Sequence, residues 1–287
     1  MTAADMGAAN PALGRRVTAG GVDTNYLEAG GGDATPVVLL HGSGPGVSAY
    51  ANWRMTIPVL AKSRRVLAPD LLGFGYTQRL ESHSYTMESW VAHLVEFVDS
   101  IGLSSFALVG NSFGGALALH MTTLLPDRVR RLVLMGAAGV PFAITEGLDE
   151  VWGYTPSVPA MRRVLDYFAF DRELVDDDLA EARYRASIQP GFHESYAAMF
   201  PAPRQRWLDS MVVDEEKIKA IRCPALIVHG REDRVIPLKT SQRLSQLIPD
   251  AQLHVFGQCG HWTQIEHAGR FSALVDSFLN EGDHADN

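Results

Sequence analysis

The chain has 287 residues, 46% of them hydrophobic and 20% charged, with a formal net charge of -8 at pH 7. That is the make-up of an ordinary globular protein with room for a large core, in one domain or in one domain carrying an insertion. The negative balance argues against nucleic acid or an anionic membrane surface as partner, and no apolar run approaches a membrane span, so an anionic small molecule would need a local cation.

In chain order, residues 1–14 (MTAADMGAANPALG) have neither the basic nor the apolar region of a signal peptide and read as a disordered tail. Arg16 to Ala29 reads as two short antiparallel strands turning at Gly20-Gly21. Val37 to Leu40 is wholly apolar, as a buried parallel strand should be, and runs into the glycine-rich loop His41-Gly42-Ser43-Gly44-Pro45-Gly46. A helix interrupted near Pro58 is expected over Tyr50 to Ala61, a strand over Arg65 to Ala68, and a helix over Met87 to Ile101, where Trp90, Val91, Leu94, Val95 and Val98 have helical spacing. Phe106 to His120 opens as a strand and closes as a helix around Gly110-Asn111-Ser112-Phe113-Gly114. This G-x-S-x-G sequence is expected to lift the Ser112 hydroxyl out of the sheet and aim a helix N-terminus at it. Arg131 to Met135 is the next buried strand.

From 139 to 213 the rhythm breaks into aromatic, Met-rich and proline-punctuated pieces that suit the short helices of a lid. Strand and helix alternation resumes with Ala225 to His229, Leu238 to Leu247, Gln252 to Phe256 and Gly269 to Leu279, and the chain is polar from Glu281. The fold class is therefore α/β, with a mostly parallel eight-stranded sheet and a helical lid inserted after the sixth strand. The division is tail 1–14, core 15–138, lid 139–213 and core 214–287.

A serine hydroxyl needs a base, and the base needs an orienting acid. Of the ten histidines, His261 follows the last strand, where a base belongs in the order Ser, acid, His. His93 and His120 fall within helices, and His229 reads better as a hydrogen-bonded core histidine. His193 and His267 are not sorted by pattern. The acid should follow the strand 225–229, where Glu232 and Asp233 are both present; Asp233 is preferred as nearer the turn before Ile236-Pro237. Asp70 also follows a strand but precedes Ser112. The oxyanion hole should use the N–H of Phe113 and the backbone of Ser43. The His, Cys and carboxylate residues lack metal-ligand spacing, no phosphate-cradling motif is present, and no cofactor is expected. Two cysteines, Cys223 and Cys259, are too few for a disulfide framework and fit a reducing cytoplasm.

The elbow, the loop His41 to Gly46, the acid loop His229 to Pro237 and the base loop Phe256 to Ile265 resemble those of α/β-hydrolases. The segments HGSGPGVSAYANWR, RLVLMGAAG, EGLDEVWGYTPS, ASIQPGFHESYAAMFPAPRQRW and AQLHVFGQCGHWTQIEH resemble the meta-cleavage-product hydrolases of bacterial aromatic degradation, nearest the 2-hydroxymuconic semialdehyde branch and its alkyl relatives. The resemblance covers nearly the whole chain after the tail. It implies carbon–carbon bond hydrolysis of a 2-hydroxy-6-oxohexa-2,4-dienoate by Ser112, Asp233 and His261. Gly42, Asn52, Asn111, Arg183 and Trp262 are implied as substrate-binding residues, with Arg183 as the cation for the substrate carboxylate. Leu148, Leu208, Val235 and Ile236 are expected to line the pocket for the C6 substituent, and their medium size favours hydrogen or a small alkyl group over phenyl. A homo-oligomer, dimer or larger, is also implied. Two other readings use the same fold: a carboxylesterase, for which Arg183 and both asparagines would be superfluous, and a non-enzymatic ligand receptor, which would not need an intact triad. A haloalkane dehalogenase is disfavoured by Ser rather than Asp at the elbow.

Overall fold

The computed structural model describes residues 10–80 and 85–281. The strands are β1 Arg15–Ala19, β2 Val22–Ala29, β3 Val37–Leu40, β4 Val66–Pro69, β5 Phe106–Asn111, β6 Val129–Met135, β7 Ala225–Gly230 and β8 Ala251–Phe256. They form one eight-stranded sheet in the order β1-β2-β4-β3-β5-β6-β7-β8, antiparallel in the two pairings of β2 and parallel elsewhere. Alternate side chains of each central strand enter different cores. Val38, Leu40, Phe106, Leu108 and Ile227 join one cluster, while Val37, Leu39, Ala107, Val109 and Val228 join the other. Both faces are thus dry, which is why these strands are apolar throughout rather than alternating.

Before the elbow lie α1 Ala49–Trp53, α2 Ile57–Leu60 and α3 Met87–Ser100. Pro58 stands in the first turn of α2, where a missing N–H costs nothing, so it begins a helix instead of interrupting one. The Thr86 hydroxyl accepts from Ser89 N at 3.2 Å and the Ser89 hydroxyl accepts from Thr86 N at 3.0 Å, a reciprocal cap that fixes the start of α3. Its Trp90, Leu94, Phe97 and Val98 are buried against the sheet, and Val91 and Val95 are only half-buried. α4 Phe113–Leu124 follows the elbow and is buried nearly all round.

Between β6 and β7 stand α5 Glu146–Trp152, α6 Val158–Phe168, a short 3₁₀ turn Arg172–Leu174, α7 Asp177–Ser187, α8 Phe192–Met199, α9 Gln205–Ser210 and α10 Glu215–Lys219. No strand interrupts them among the described residues. Val213 N donates to Gly139 O at 2.9 Å, which ties together the two ends of the predicted lid. Buried lid residues such as Val151, Trp152, Met161, Leu165 and Tyr196 belong to the same cluster as one face of the sheet. The core closes with α11 Leu238–Leu247, α12 Thr263–Glu266 and α13 Ala268–Asn280.

Residues 1–9 of the predicted tail, and the polar end beyond 281, lie outside the described residues. Asn10 to Gly14 are held in place: Asn25 Nδ2 donates to Ala12 O at 2.9 Å and its Oδ1 accepts from Gly14 N at 2.9 Å. Gly14 is so close to Tyr26 O that a Cβ there would lie 2.1 Å from it. The tail boundary therefore falls earlier than 14, because the side chain of Asn25 supplies backbone partners that composition does not reveal.

His41, at the end of β3, fixes the loop that leads to the site. Its Nδ1 donates to Gly42 O at 2.7 Å and its Nε2 accepts from Leu71 N at 3.0 Å, a pattern only the neutral ring can make. Complete burial pushes its pKa down to about 4 from 6.5, although the Gly42 bond works the other way. A depressed histidine contributes stability that is whole above 6.5 and is lost as pH falls towards 4. At pH 5 the loss from this residue should be about 2 kcal/mol. Denaturant titrations at pH 7 and 5 should therefore show His41→Asn, itself less stable at pH 7, losing about that much less than the native chain on acidification; equal losses would contradict it.

Candidate active site

The nucleophile elbow is built by close approach. A Cβ on Gly110 would lie 2.4 Å from Gly114 O, one on Gly114 2.3 Å from Leu40 O, and one on Gly115 2.5 Å from the Ala137 Cβ. Only glycines let β5 reverse into α4 at this spacing. Ser112 itself has φ 55°, a left-handed backbone that costs a non-glycine residue about 1–2 kcal/mol. The strain is held by bonds on both sides: Ser112 N donates to Met135 O at 2.9 Å, and Ser112 O accepts from Gly115 N at 3.0 Å, Ala116 N at 3.2 Å and Ala138 N at 3.3 Å. As first residue of α4, Phe113 has an N–H that no turn of its own helix can use.

The acid and base arrive from the loops after β7 and β8. His261 Nδ1 lies 2.7 Å from Asp233 Oδ2, and Asp233 Oδ1 accepts from Val235 N at 2.8 Å and Ile236 N at 2.9 Å. Burial alone would raise the Asp233 pKa, but the charge and hydrogen bond of His261, with His229 and the Ile236 amide, hold it below the usual value. Asp233 is thus ionised beside the His261 ring, an arrangement able to orient an imidazole and to stabilise its cation. Nδ1 of His261 is committed to Asp233, and Ser112 and His261 both open onto one cavity of about 270 Å³.

The other acids and histidines have structural work. Glu232 accepts from Cys259 N at 3.0 Å and pairs with Arg231. Asp70 accepts from Asn25 Nδ2, Ala49 N and Tyr76 N. His229 is a core histidine: Nδ1 lies 2.7 Å from Ser241 Oγ and Nε2 lies 3.0 Å from Ile236 O. His93 contacts Thr24, His120 contacts Met211 O, His193 packs on Tyr154, and His267 stacks on Phe256. The thiols of Cys223 and Cys259 are buried and pushed up to about 11 and 12 by desolvation, away from the thiolate form.

Gly42, Ser43, Asn52, Asn111, Arg183, Trp262, Leu148 and Val235 all line the cavity. Asn52 Oδ1 accepts from Gly42 N at 3.4 Å, and its buried Nδ2 has no acceptor among the described residues. The half-buried Arg183 donates to Pro45 O at 3.1 Å, and no carboxylate stands within ion-pair distance of it among the described residues. Burial, then the charge of Arg54, push its pKa down to about 10, so it stays a cation at neutral pH. Leu208 and Ile236 are corrected: both are buried, yet neither is on the cavity wall. Leu208 packs into the main core from α9, and Ile236 serves through its backbone, its N–H donating to Asp233 Oδ1 and its carbonyl accepting from His229 Nε2.

Several wall residues escaped the sequence reading. Met161, Val164, Leu165 and Phe168 line the cavity from α6, and their three- and four-residue spacing could have marked that face. Phe168 stacks on His261 (5.7 Å, 21°) and on Trp262 (5.1 Å, 22°), and its carbonyl accepts from both their backbone N–H groups, at 2.7 and 3.2 Å. Gln264 brings a buried Oε1 without a donor among the described residues, and Arg54 adds a second cation at the wall.

The α/β-hydrolase fold family model matches residues 35–268. The chain is 59% identical over 276 residues to a 2-hydroxymuconate semialdehyde hydrolase of Pseudomonas sp. (strain CF600), covering 96% of this chain and 97% of the relative. It is 60% identical over 270 residues to a 2-hydroxy-6-oxo-2,4-heptadienoate hydrolase of Pseudomonas putida (strain F1), covering 94% and 97%. Among solved structures, the meta-cleavage product hydrolase CumD of Pseudomonas fluorescens IP01, a Ser-to-Ala variant complexed with acetates, superposes with a TM-score of 0.93 at 56% identity, covering 95% of this chain and 99% of that one. A strained elbow serine, a histidine oriented by a buried aspartate, and this similarity over nearly the full length make the chain a member of the α/β-hydrolase family and, within it, of the meta-cleavage-product carbon–carbon hydrolases.

Proposed function

We propose that the chain hydrolyses the C5–C6 bond of 2-hydroxy-6-oxohexa-2,4-dienoates carrying hydrogen or a small alkyl group at C6, giving 2-hydroxypenta-2,4-dienoate and a small carboxylic acid. The observation that carries this reading is that Arg183, a cation without a carboxylate partner among the described residues, lines the same cavity as Ser112 and His261. An ester needs no such cation, whereas a dienoate presents a carboxylate for bidentate pairing. Asn52 Nδ2, which has no acceptor among the described residues, is a donor for the same end of the substrate.

In this reading the dienol first ketonises, moving a proton to C5 and making that carbon a leaving group. Ser112 then adds to the C6 ketone while His261 takes the hydroxyl proton, and the oxyanion meets the N–H groups of Phe113 and Ser43. Collapse breaks C5–C6, the released electron pair is delocalised from C5 onto the C2 oxygen as a dienolate, that oxygen takes the proton from His261 to give 2-hydroxypenta-2,4-dienoate, and the acyl group stays on Ser112. Water activated by His261 releases the acid. Asp233 remains ionised throughout. Leu148 and Val235 bound the space for the C6 group; such apolar walls discriminate by only about 1–3 kcal/mol per methylene, so neighbouring alkyl substrates overlap. A cytoplasmic homo-oligomer, dimer or larger, belongs to the same reading and is tested by light scattering on the purified chain.

The decisive assay follows the yellow dienolate across substrates with hydrogen, methyl and phenyl at C6. The first two should turn over well and the third poorly; equal turnover of methyl and phenyl compounds would contradict the pocket reading. Hydrolysis of p-nitrophenyl esters without dienoate consumption would replace it with an esterase. Arg183→Met should lower kcat/KM by about 10- to 100-fold, the cost of a charge-assisted pair, and should leave p-nitrophenyl acetate hydrolysis much less affected. Rapid-quench mass spectrometry should find an acyl group on Ser112; no adduct during turnover, with cleavage retained in Ser112→Ala, points instead to a gem-diol route.

A further inference from the structure

We infer that Trp152, a lid residue outside the cavity wall, is a positioning residue for the oxyanion hole, gripping Ser43 through its indole N–H and Phe113 through Phe200. The inference rests on the reading of Ser43 and Phe113 as the residues that meet the oxyanion.

Both polar handles of Ser43 other than its N–H are taken by the lid. Trp152 Nε1 donates to Ser43 Oγ at 2.9 Å, and Tyr196 OH lies 3.1 Å from Ser43 O. The tyrosine has one proton and a nearer acceptor, Val151 O at 2.6 Å, so its hold on Ser43 is shared. The indole N–H has a single acceptor. Rotation of the Ser43 side chain would leave a buried indole donor unpaired, and the Ser43 rotamer is therefore set from the lid.

The same indole reaches the other half of the hole. Its ring stacks on Phe200 (4.4 Å, 10°), Phe200 meets the Phe113 ring edge-on (5.9 Å, 80°), and Trp90 closes on Phe113 from α3 (4.7 Å, 77°). One lid side chain thus braces two residues that come from different strand ends, after β3 and after β5. The hole is complete when α5 and the segment carrying Phe200 are seated.

A double-mutant cycle tests this, because Trp152→Phe and Ser43→Ala remove the same hydrogen bond from opposite ends while the phenyl ring keeps its place beside Phe200. Steady-state kinetics of the four proteins with the 6-methyl dienoate, each checked by thermal melting, should show Trp152→Phe lowering kcat by roughly tenfold with KM within about twofold, the signature of misplacement at the reacting centre. The double variant should be no slower than Ser43→Ala. A Trp152→Phe rate equal to the native one, or a loss that multiplies in full in the Ser43→Ala background, would overturn the brace. A Ser43→Ala variant of native rate would overturn the brace too, because alanine keeps the backbone N–H and loses only the bond to the indole; failure of all four proteins, the native chain included, to cleave the dienoate would overturn the functional reading instead. If Trp152→Phe does not fold, benzothienylalanine at 152 keeps the bicyclic shape without the N–H and should give the same drop.

Discussion

Everything at this site hangs on how closely the backbone reverses at Ser112. Gly110, Gly114 and Gly115 admit no side chain without collision, and the serine between them adopts a left-handed backbone that nothing in its own chemistry favours. About 1–2 kcal/mol of strain is small against the burial that surrounds it, since each buried Leu, Val or Phe of the flanking strands contributes a comparable or larger amount. The sheet can therefore hold the elbow under tension. The return is geometric: the hydroxyl, the α4 N-terminus and the loop after β3 converge on one cavity.

The second constraint is the commitment of polar groups before substrate arrives. His261 spends Nδ1 on Asp233, and Asp233 spends Oδ1 on two amides, so the base is oriented by a chain of bonds that ends in backbone. His41 spends both nitrogens on the backbone around Ser43 and Leu71. What is left without a partner is then meaningful. Asn52 Nδ2 and Gln264 Oε1 are buried and unsatisfied among the described residues, and Arg183 lacks a carboxylate there. In a chain of net charge -8, a cation on the cavity wall gives an anionic ligand a local reason to enter against the overall field.

Local chemistry was legible in the sequence and distant contact was not. Ser112 could be read because its glycines lie within two residues of it. The pairing of Asp233 with His261, at 2.7 Å, could be anticipated because each lies in a marked loop after a strand. His229 was rightly read as a core histidine. The lid was legible as a break in rhythm, but not which of its side chains would reach the core: Trp152 meets Ser43 across 109 positions and Tyr196 meets it across 153. Leu208 and Ile236 were misplaced for the opposite reason. Proximity to the acid or to the lid does not say which way a side chain turns, and Ile236 turned out to be useful through its backbone.

The lid is a working part of the site, because different segments of it grip different parts of the machinery. The end of α6 grips the base loop: Phe168 O takes the N–H groups of His261 and Trp262, and Glu266 answers from the core by accepting from Phe170 N at 2.8 Å, Asp171 N at 3.0 Å and Gly260 N at 2.7 Å. α7 presses on the glycine-rich loop, where a Cβ on Gly46 would lie 2.6 Å from Ser187 N and where Arg183 donates to Pro45 O. α5 and α8 hold Ser43. Lifting any one of these segments would disturb the His261 loop, the glycine-rich loop or Ser43 separately. In the proposed reading, a seated lid is thus a condition for assembling the site as well as for excluding water, and the C6 pocket is shared between Leu148 of α5 and Val235 of the loop after β7.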